Sequence, residues 1–119
     1  IDGMEITLSN TAAVERKMSL DELAMCFGTE RKRFVREFER AKEIGMRIYM
    51  LVENASYENL YNHKYRSMLS PNAFVASLFA WMTRYDCRVI FCKEETAPKV
   101  IHDILYRELK ERLERGDFG

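Results

Sequence analysis

The segment Val14-Glu15-Arg16-Lys17-Met18-Ser19-Leu20-Asp21 gathers two carboxylates and an amine in one short run. Side chains on a strand alternate between faces, so Glu15 and Lys17 share one face and Arg16 takes the other. Asp21 falls in the first turn of the helix that follows, close to the end of the strand. Carboxylates hold a hard divalent ion through oxygen. Such an ion activates a water and neutralises charge on a scissile phosphate. The lysine can position that water or stabilise the developing negative charge. The chemistry this suits is metal-assisted cleavage of a phosphodiester. The same spacing also reads as a Glu-x-Lys pair on an exposed, solvated strand face.

Two further groups could contact phosphates. Arg33, Arg36 and Arg40 recur at helical spacing and share a face, although Glu37, Glu39 and Glu43 are interleaved, as on a salt-bridged solvent face. Lys64 and Arg66, with Tyr61, His63 and Tyr65 around them, form a basic-aromatic loop suited to stacking on and gripping unpaired DNA; a flexible surface loop is the alternative. His63 and His102 lack metal-ligand spacing and read as surface residues. Glu53, at the end of an apolar strand, is either a group near the metal or a simple strand-end carboxylate. Trp81 reads as core, and Cys26, Cys87 and Cys92 as buried small hydrophobes.

The elements that must position these residues follow from periodicity and punctuation. Asp2-Gly3 is a hairpin-turn dipeptide, Met4 to Leu8 alternates as a half-buried strand, and Ser9-Asn10-Thr11 is a turn cluster. Ala12 to Lys17 is a second strand. Ser19, with Glu22 three residues on, starts a helix from Leu20 to Phe27 that Gly28 closes. Thr29 is placed to cap a helix from Glu30 to Ile44, stopped by Gly45, with Phe34, Val35, Phe38, Ala41 and Ile44 as its apolar stripe. Arg47 to Val52 is a central strand. Residues 54–70 form a loop with one helical turn near Tyr57 to Tyr61. Ser70-Pro71 opens a helix to Tyr85. Cys87 to Cys92 is the last strand. Thr96 caps a final helix whose buried stripe is Val100, Ile101, Ile104, Leu105, Leu109 and Leu113. This order makes a small α/β domain with a mixed sheet and helices on its faces.

Composition narrows the class. The 119 residues suffice for one domain, and a hydrophobic fraction of 47% is too high for a disordered chain. No apolar run approaches the ~20 residues of a membrane span, and no signal-peptide pattern is present. Three widely spaced cysteines do not form a disulfide framework, which points to a reducing, cytoplasmic setting. The zero net charge hides a pattern: residues 1–29 carry two basic and five acidic side chains, residues 30–47 seven and four, and residues 60–93 five and one. An acidic stretch beside two basic ones suits a metal-binding cleft flanked by phosphate-gripping surface, or solvated helix faces.

Glu15-Arg16-Lys17, three residues and then Asp21 resembles the signature of the XPF-type nuclease domains, a Gly-Asp followed downstream by Glu-Arg-Lys and Asp. The resemblance continues through Glu30 to Glu43 with its Arg33-Phe34 pair, through Arg47 to Glu53, and through Tyr65-Arg66-Ser67, Ser70 to Phe74 and Arg84-Tyr85, which look like the short phage and bacterial members. It implies a restriction-endonuclease-like α/β fold, a mixed β-sheet flanked by helices. It also implies a divalent-metal-dependent DNA endonuclease using Mg²⁺ or Mn²⁺, acting on branched or flapped DNA in repair and recombination, with pairing into a homodimer. By position, Glu15 and Asp21 become the metal carboxylates, Lys17 the catalytic lysine and Arg16 the motif arginine. From the residues themselves, Arg33, Lys64 and Arg66 are the expected DNA contacts, while the family match suggests that Arg33 instead reaches the active site. The upstream Gly-Asp is absent, since Asp2 precedes a glycine; the expectation is a single nuclease domain over residues 1–119 whose first strand, with that aspartate, lies before Ile1. A non-catalytic DNA-binding or dimerisation module of the same fold is the alternative.

Overall fold

A computed structural model describes residues 4–8 and 12–115, with side chains from residue 12 onward. The turns expected at Asp2-Gly3 and Ser9 to Thr11 lie outside the described residues. The elements are β1 (Met4–Leu8), β2 (Ala12–Lys17), α1 (Leu20–Phe27), α2 (Arg31–Glu43), β3 (Arg47–Glu53), α3 (Tyr57–Tyr61), α4 (Pro71–Tyr85), β4 (Arg88–Cys92) and α5 (Ala97–Glu114). This is the expected α/β order.

The strands form one sheet in the order β1-β2-β3-β4. β1 pairs antiparallel with β2, whereas β2, β3 and β4 run parallel. Parallel neighbours need long crossovers, and α1–α2 and α3–α4 supply them. The motif strand β2 is therefore internal, hydrogen-bonded on both sides.

Two cores follow from the pleat. On one face Met50 and Val52 of β3 pack with Leu23 and Phe27 of α1, Phe34 and Phe38 of α2, and Phe74, Leu78 and Trp81 of α4. Trp81 is fully buried and stacks on Phe34 with ring centroids 5.1 Å apart; Phe27 and Phe38 meet it edge-on at 5.4 and 5.9 Å. Each such pair contributes about 0.5–1.5 kcal/mol beyond the area it buries. On the other face Val14 and Leu51 pack against Ala97 and Ile101 of α5.

Local signals set the element ends. Ser19, Ser56 and Ser70 cap α1, α3 and α4, their hydroxyls accepting from the N–H three residues on. Gly45, at φ +71°, ends α2 in the left-handed region that glycine enters without strain. Some expected details differ. The residue before α2 is Glu30 rather than Thr29, and neither it nor Thr96 makes a side-chain cap bond. Ile44 and Leu113 are exposed, each at or next to a helix end. Cys92 is half-buried on edge strand β4.

Candidate active site

Register fixes the motif's geometry before any side chain is considered. Glu15, Arg16 and Lys17 lie beside Met50, Leu51 and Val52 in the parallel ladder. Met50 and Val52 belong to the α1–α2–α4 core and Leu51 to the α5 core. Glu15 and Lys17 therefore face the helical layer of α1 and α2, and Arg16 faces α5, as the alternation predicts. Across the antiparallel ladder the partner of Glu15 is Glu5.

The pair is not on a solvated face. Glu15 is 6% exposed and Lys17 2%, and Lys17 Nζ lies 2.9 Å from Glu15 Oε1. The exposed-pair reading is corrected: α1 and α2 roof this end of β2 with Cys26 and Phe34, and the ammonium stands 5.9 Å from the Phe34 ring centroid. Burial by itself lowers the Lys17 pKa, but attraction to Glu15 and to the Cys26 sulfur outweighs it and leaves the lysine above its ordinary value. Burial pushes the Cys26 thiol up, opposed by the lysine charge. Lys17 is thus a fixed cation throughout the neutral range.

On the opposite face Arg16 is ion-paired through Nε to Glu53 Oε2, and Glu53 is fully buried. The hydrogen bond to Glu53 is the main influence raising the Arg16 pKa. Glu53 Oε1 has no hydrogen-bond partner among the described residues. Glu53 stands on the face away from Glu15 and Lys17, so its position is that of a strand-end carboxylate bracing Arg16.

Asp21 lies in the first turn of α1, behind the Ser19 cap. Its Oδ1 accepts two backbone hydrogen bonds, from Arg66 and Ser67, both at 2.8 Å. The 62–70 loop is thereby brought against the end of the motif, with Lys64 and Arg66 exposed on it. Burial first, and the Asp21 charge second, raise the pKa of Tyr65 in the same loop. Arg33 is placed elsewhere: it is half-exposed on α2 and ion-paired with Glu30.

Two features of the site escape the sequence reading. Glu37, taken as part of a solvated face, lines a cavity of about 140 Å³ together with Glu15, Arg40, Ala13, Met46 and Ile48. Its only signal is helical spacing from Phe34 and Ala41, which puts it at the edge of the buried stripe. His63 adopts φ +55° and its Nε2 shares a 2.8 Å hydrogen bond with the Ser67 carbonyl, so it shapes the loop rather than decorating it.

The donor set suits a hard cation. No group of three or more His, Cys, Asp or Glu gathers among the described residues. Mg²⁺ ordinarily takes one or two carboxylates and completes its shell with water and substrate phosphate, and Glu15 and Asp21 offer donors of that oxygen chemistry.

A comparison with curated proteins finds no match, and neither does one with solved structures. Among the described residues, no helix is long and apolar enough to cross a membrane. The strand-borne Glu-Arg-Lys, the Asp one helical turn on and the mixed sheet that carries them agree with a family model that matches residues 3–100: the chain belongs to the ERCC4 domain family, the XPF-type nuclease domains of the restriction-endonuclease-like superfamily, which act on DNA.

Proposed function

We propose that this chain is a divalent-metal-dependent endonuclease that hydrolyses phosphodiester bonds in branched or flapped DNA. The observation that carries the reading is the buried Glu15–Lys17 pair on the central motif strand. A buried ion pair is a poor source of stability, since apolar residues of similar volume do as well or better. Charges kept at such a cost cluster at functional sites.

Glu15 and Asp21 would hold Mg²⁺ or Mn²⁺, Asp21 through the oxygen not committed to the loop. When bound, the ion supplies an activated water and neutralises charge on the scissile phosphate. Lys17, held as an ammonium, stabilises the negative charge that develops on the phosphoryl oxygens. Attraction to Glu15 and to Cys26 holds it above its ordinary pKa, which suits this role better than that of a base. Arg16 acts from the other face by bracing the end of β2 through Glu53. Arg33, Lys64 and Arg66 grip the DNA backbone.

The test is single-turnover cleavage of flap, fork and linear duplex DNA with Mg²⁺, with Mn²⁺ and with EDTA. Metal-dependent cutting that favours the branched substrates is expected, with Lys17→Met slower by on the order of 10²-fold or more. DNA binding without cutting under any metal would move the chain to the non-catalytic module.

A further inference from the structure

We propose that Asp21 is a positioning residue for the DNA-gripping loop: its Oδ1 anchors residues 62–70 so that Lys64 and Arg66 are presented, preformed, beside the motif. The inference rests on the DNA-binding part of the function proposed above.

The loop belongs to no helix or strand, yet its backbone is tied at several points. Asp21 Oδ1 accepts from the N–H groups of Arg66 and Ser67. Within the loop, the Tyr65 hydroxyl donates to the Leu69 carbonyl at 2.7 Å and the Leu69 N–H to Ser67 Oγ at 3.1 Å. The His63 ring lies 4.3 Å from that of Tyr65, which also packs edge-on against the core ring of Phe74 at 5.3 Å. The aromatic contact fixes one flank, and Asp21 is the polar anchor at the middle. Among the described hydrogen bonds, only the two to Asp21 connect the backbone between Tyr65 and Leu69 to another element.

The consequence is physical. A phosphate contact from a loosely held loop costs the ordering of that loop at the moment of binding, and preorganisation removes the cost. A carboxylate suits the anchoring task because hydrogen bonds to a charged acceptor are short and strong. It also ties the loop to the helix that begins directly after the motif strand. Asp21 thus sets where Lys64 and Arg66 meet the backbone relative to the Glu15–Lys17 pair.

The experiment compares wild type, Asp21→Asn and Asp21→Ala in EDTA, so that metal binding and cleavage do not enter. The amide of Asn keeps an Oδ1 that can accept both bonds; Ala keeps none. Binding to a fluorescein-labelled flap DNA is measured from 50 to 300 mM salt, chosen to resolve the slope. Exchange protection of the Arg66 and Ser67 amides is read by NMR. Asp21→Ala is expected to weaken binding about tenfold, to flatten the salt slope by up to about two units, and to deprotect both amides. Asp21→Asn should restore wild-type affinity, slope and protection to within about threefold. Ser67→Pro removes one of the two donors without touching the carboxylate, and should weaken binding even if Asp21→Ala fails to fold. Wild-type affinity and slope in Asp21→Ala, unchanged amide protection, or an Asn variant no better than Ala would overturn the inference. A wild type that binds no DNA would instead overturn the proposed function.

Discussion

Replacing Lys17 by Met tests what the buried ion pair does. The side chain is 2% exposed and its ammonium sits 2.9 Å from Glu15, itself 6% exposed. Met fills a similar volume but removes the ammonium that lies against the buried Glu15 carboxylate. Removing one member of a buried pair costs about 3–5 kcal/mol. Against a total stability of about 5–15 kcal/mol for a domain of this size, that is a large fraction. Glu15→Gln leaves the ammonium uncompensated and should cost a comparable amount. The double variant, with no charge left to strand, should lose only about 1 kcal/mol, so the coupling in the cycle, the two single losses less that of the double, is expected at about 5 kcal/mol or more. Urea unfolding followed by fluorescence of the single, fully buried Trp81 reads all four proteins. With m near 2 kcal/mol/M, each single variant should lose about 2 M in midpoint. Single variants within 1 kcal/mol of wild type, or additive behaviour in the double, would refute the buried-pair argument. Cleavage should remain lost in the stable double variant, because restored packing does not restore the charge.

Arg16→Ala should destabilise by about 3 kcal/mol, since it strands the fully buried Glu53; denaturant midpoints measure it, and a neutral result would dismiss the brace. Glu108 is held below the ordinary carboxylate pKa: burial pushes it up, but hydrogen bonds from Tyr49 at 2.6 Å and Arg47 at 2.9 Å outweigh that. Its contribution is therefore complete above the unfolded value, near pH 4.3, and fades as pH falls through the lower folded value. Glu108→Gln should thus be less stable than wild type by about 1–2 kcal/mol at pH 7, with the gap closing toward pH 3 in melts across that range. Replacing Lys64 and Arg66 together by Ala should flatten the salt slope of DNA binding by about two units; an unchanged slope would take the loop out of the footprint.

Much of the fold is legible in the sequence because its signals are local. The Ser19 and Ser70 caps, Gly45 after α2 and the apolar runs of β3 and β4 each act within a few residues. So does the alternation that sends Glu15 and Lys17 one way and Arg16 the other. What the sequence conceals is held by distant partners. The Glu-x-Lys spacing is the same on a wet strand or a dry one, and only the packing of Cys26 and Phe34 decides which. Asp21 binds groups 45 and 46 residues away, and they are backbone N–H groups, which leave no side-chain signature. Glu108 is not singled out by the sequence, yet it is buried because Arg47 and Tyr49 from β3 meet it. The two basic stretches are visible as composition, but not that Arg33 is engaged by Glu30.

The motif's charges divide into two tasks that one strand performs at once. On the α5 face, Arg16 and Glu53 tie the end of β2 to the end of β3. On the other face, Glu15 and Lys17 lie under α1 and α2. A strand hydrogen-bonded to both neighbours and braced on both faces leaves these side chains little freedom, and fixed charge is what electrostatic stabilisation of a phosphoryl transition state requires. Burial by itself lowers the Lys17 pKa, but attraction to Glu15 and to the Cys26 sulfur outweighs it and holds the lysine above its ordinary value. The ammonium therefore stays charged until the pH passes above the ordinary lysine range, near 10.4. A rise in cleavage rate between pH 6 and 9 would consequently report another ionisation, and Lys17→Met should lower the plateau of that profile without shifting its midpoint. A midpoint that moves with Lys17 would mean the lysine exchanges its proton in the reaction, contrary to its environment.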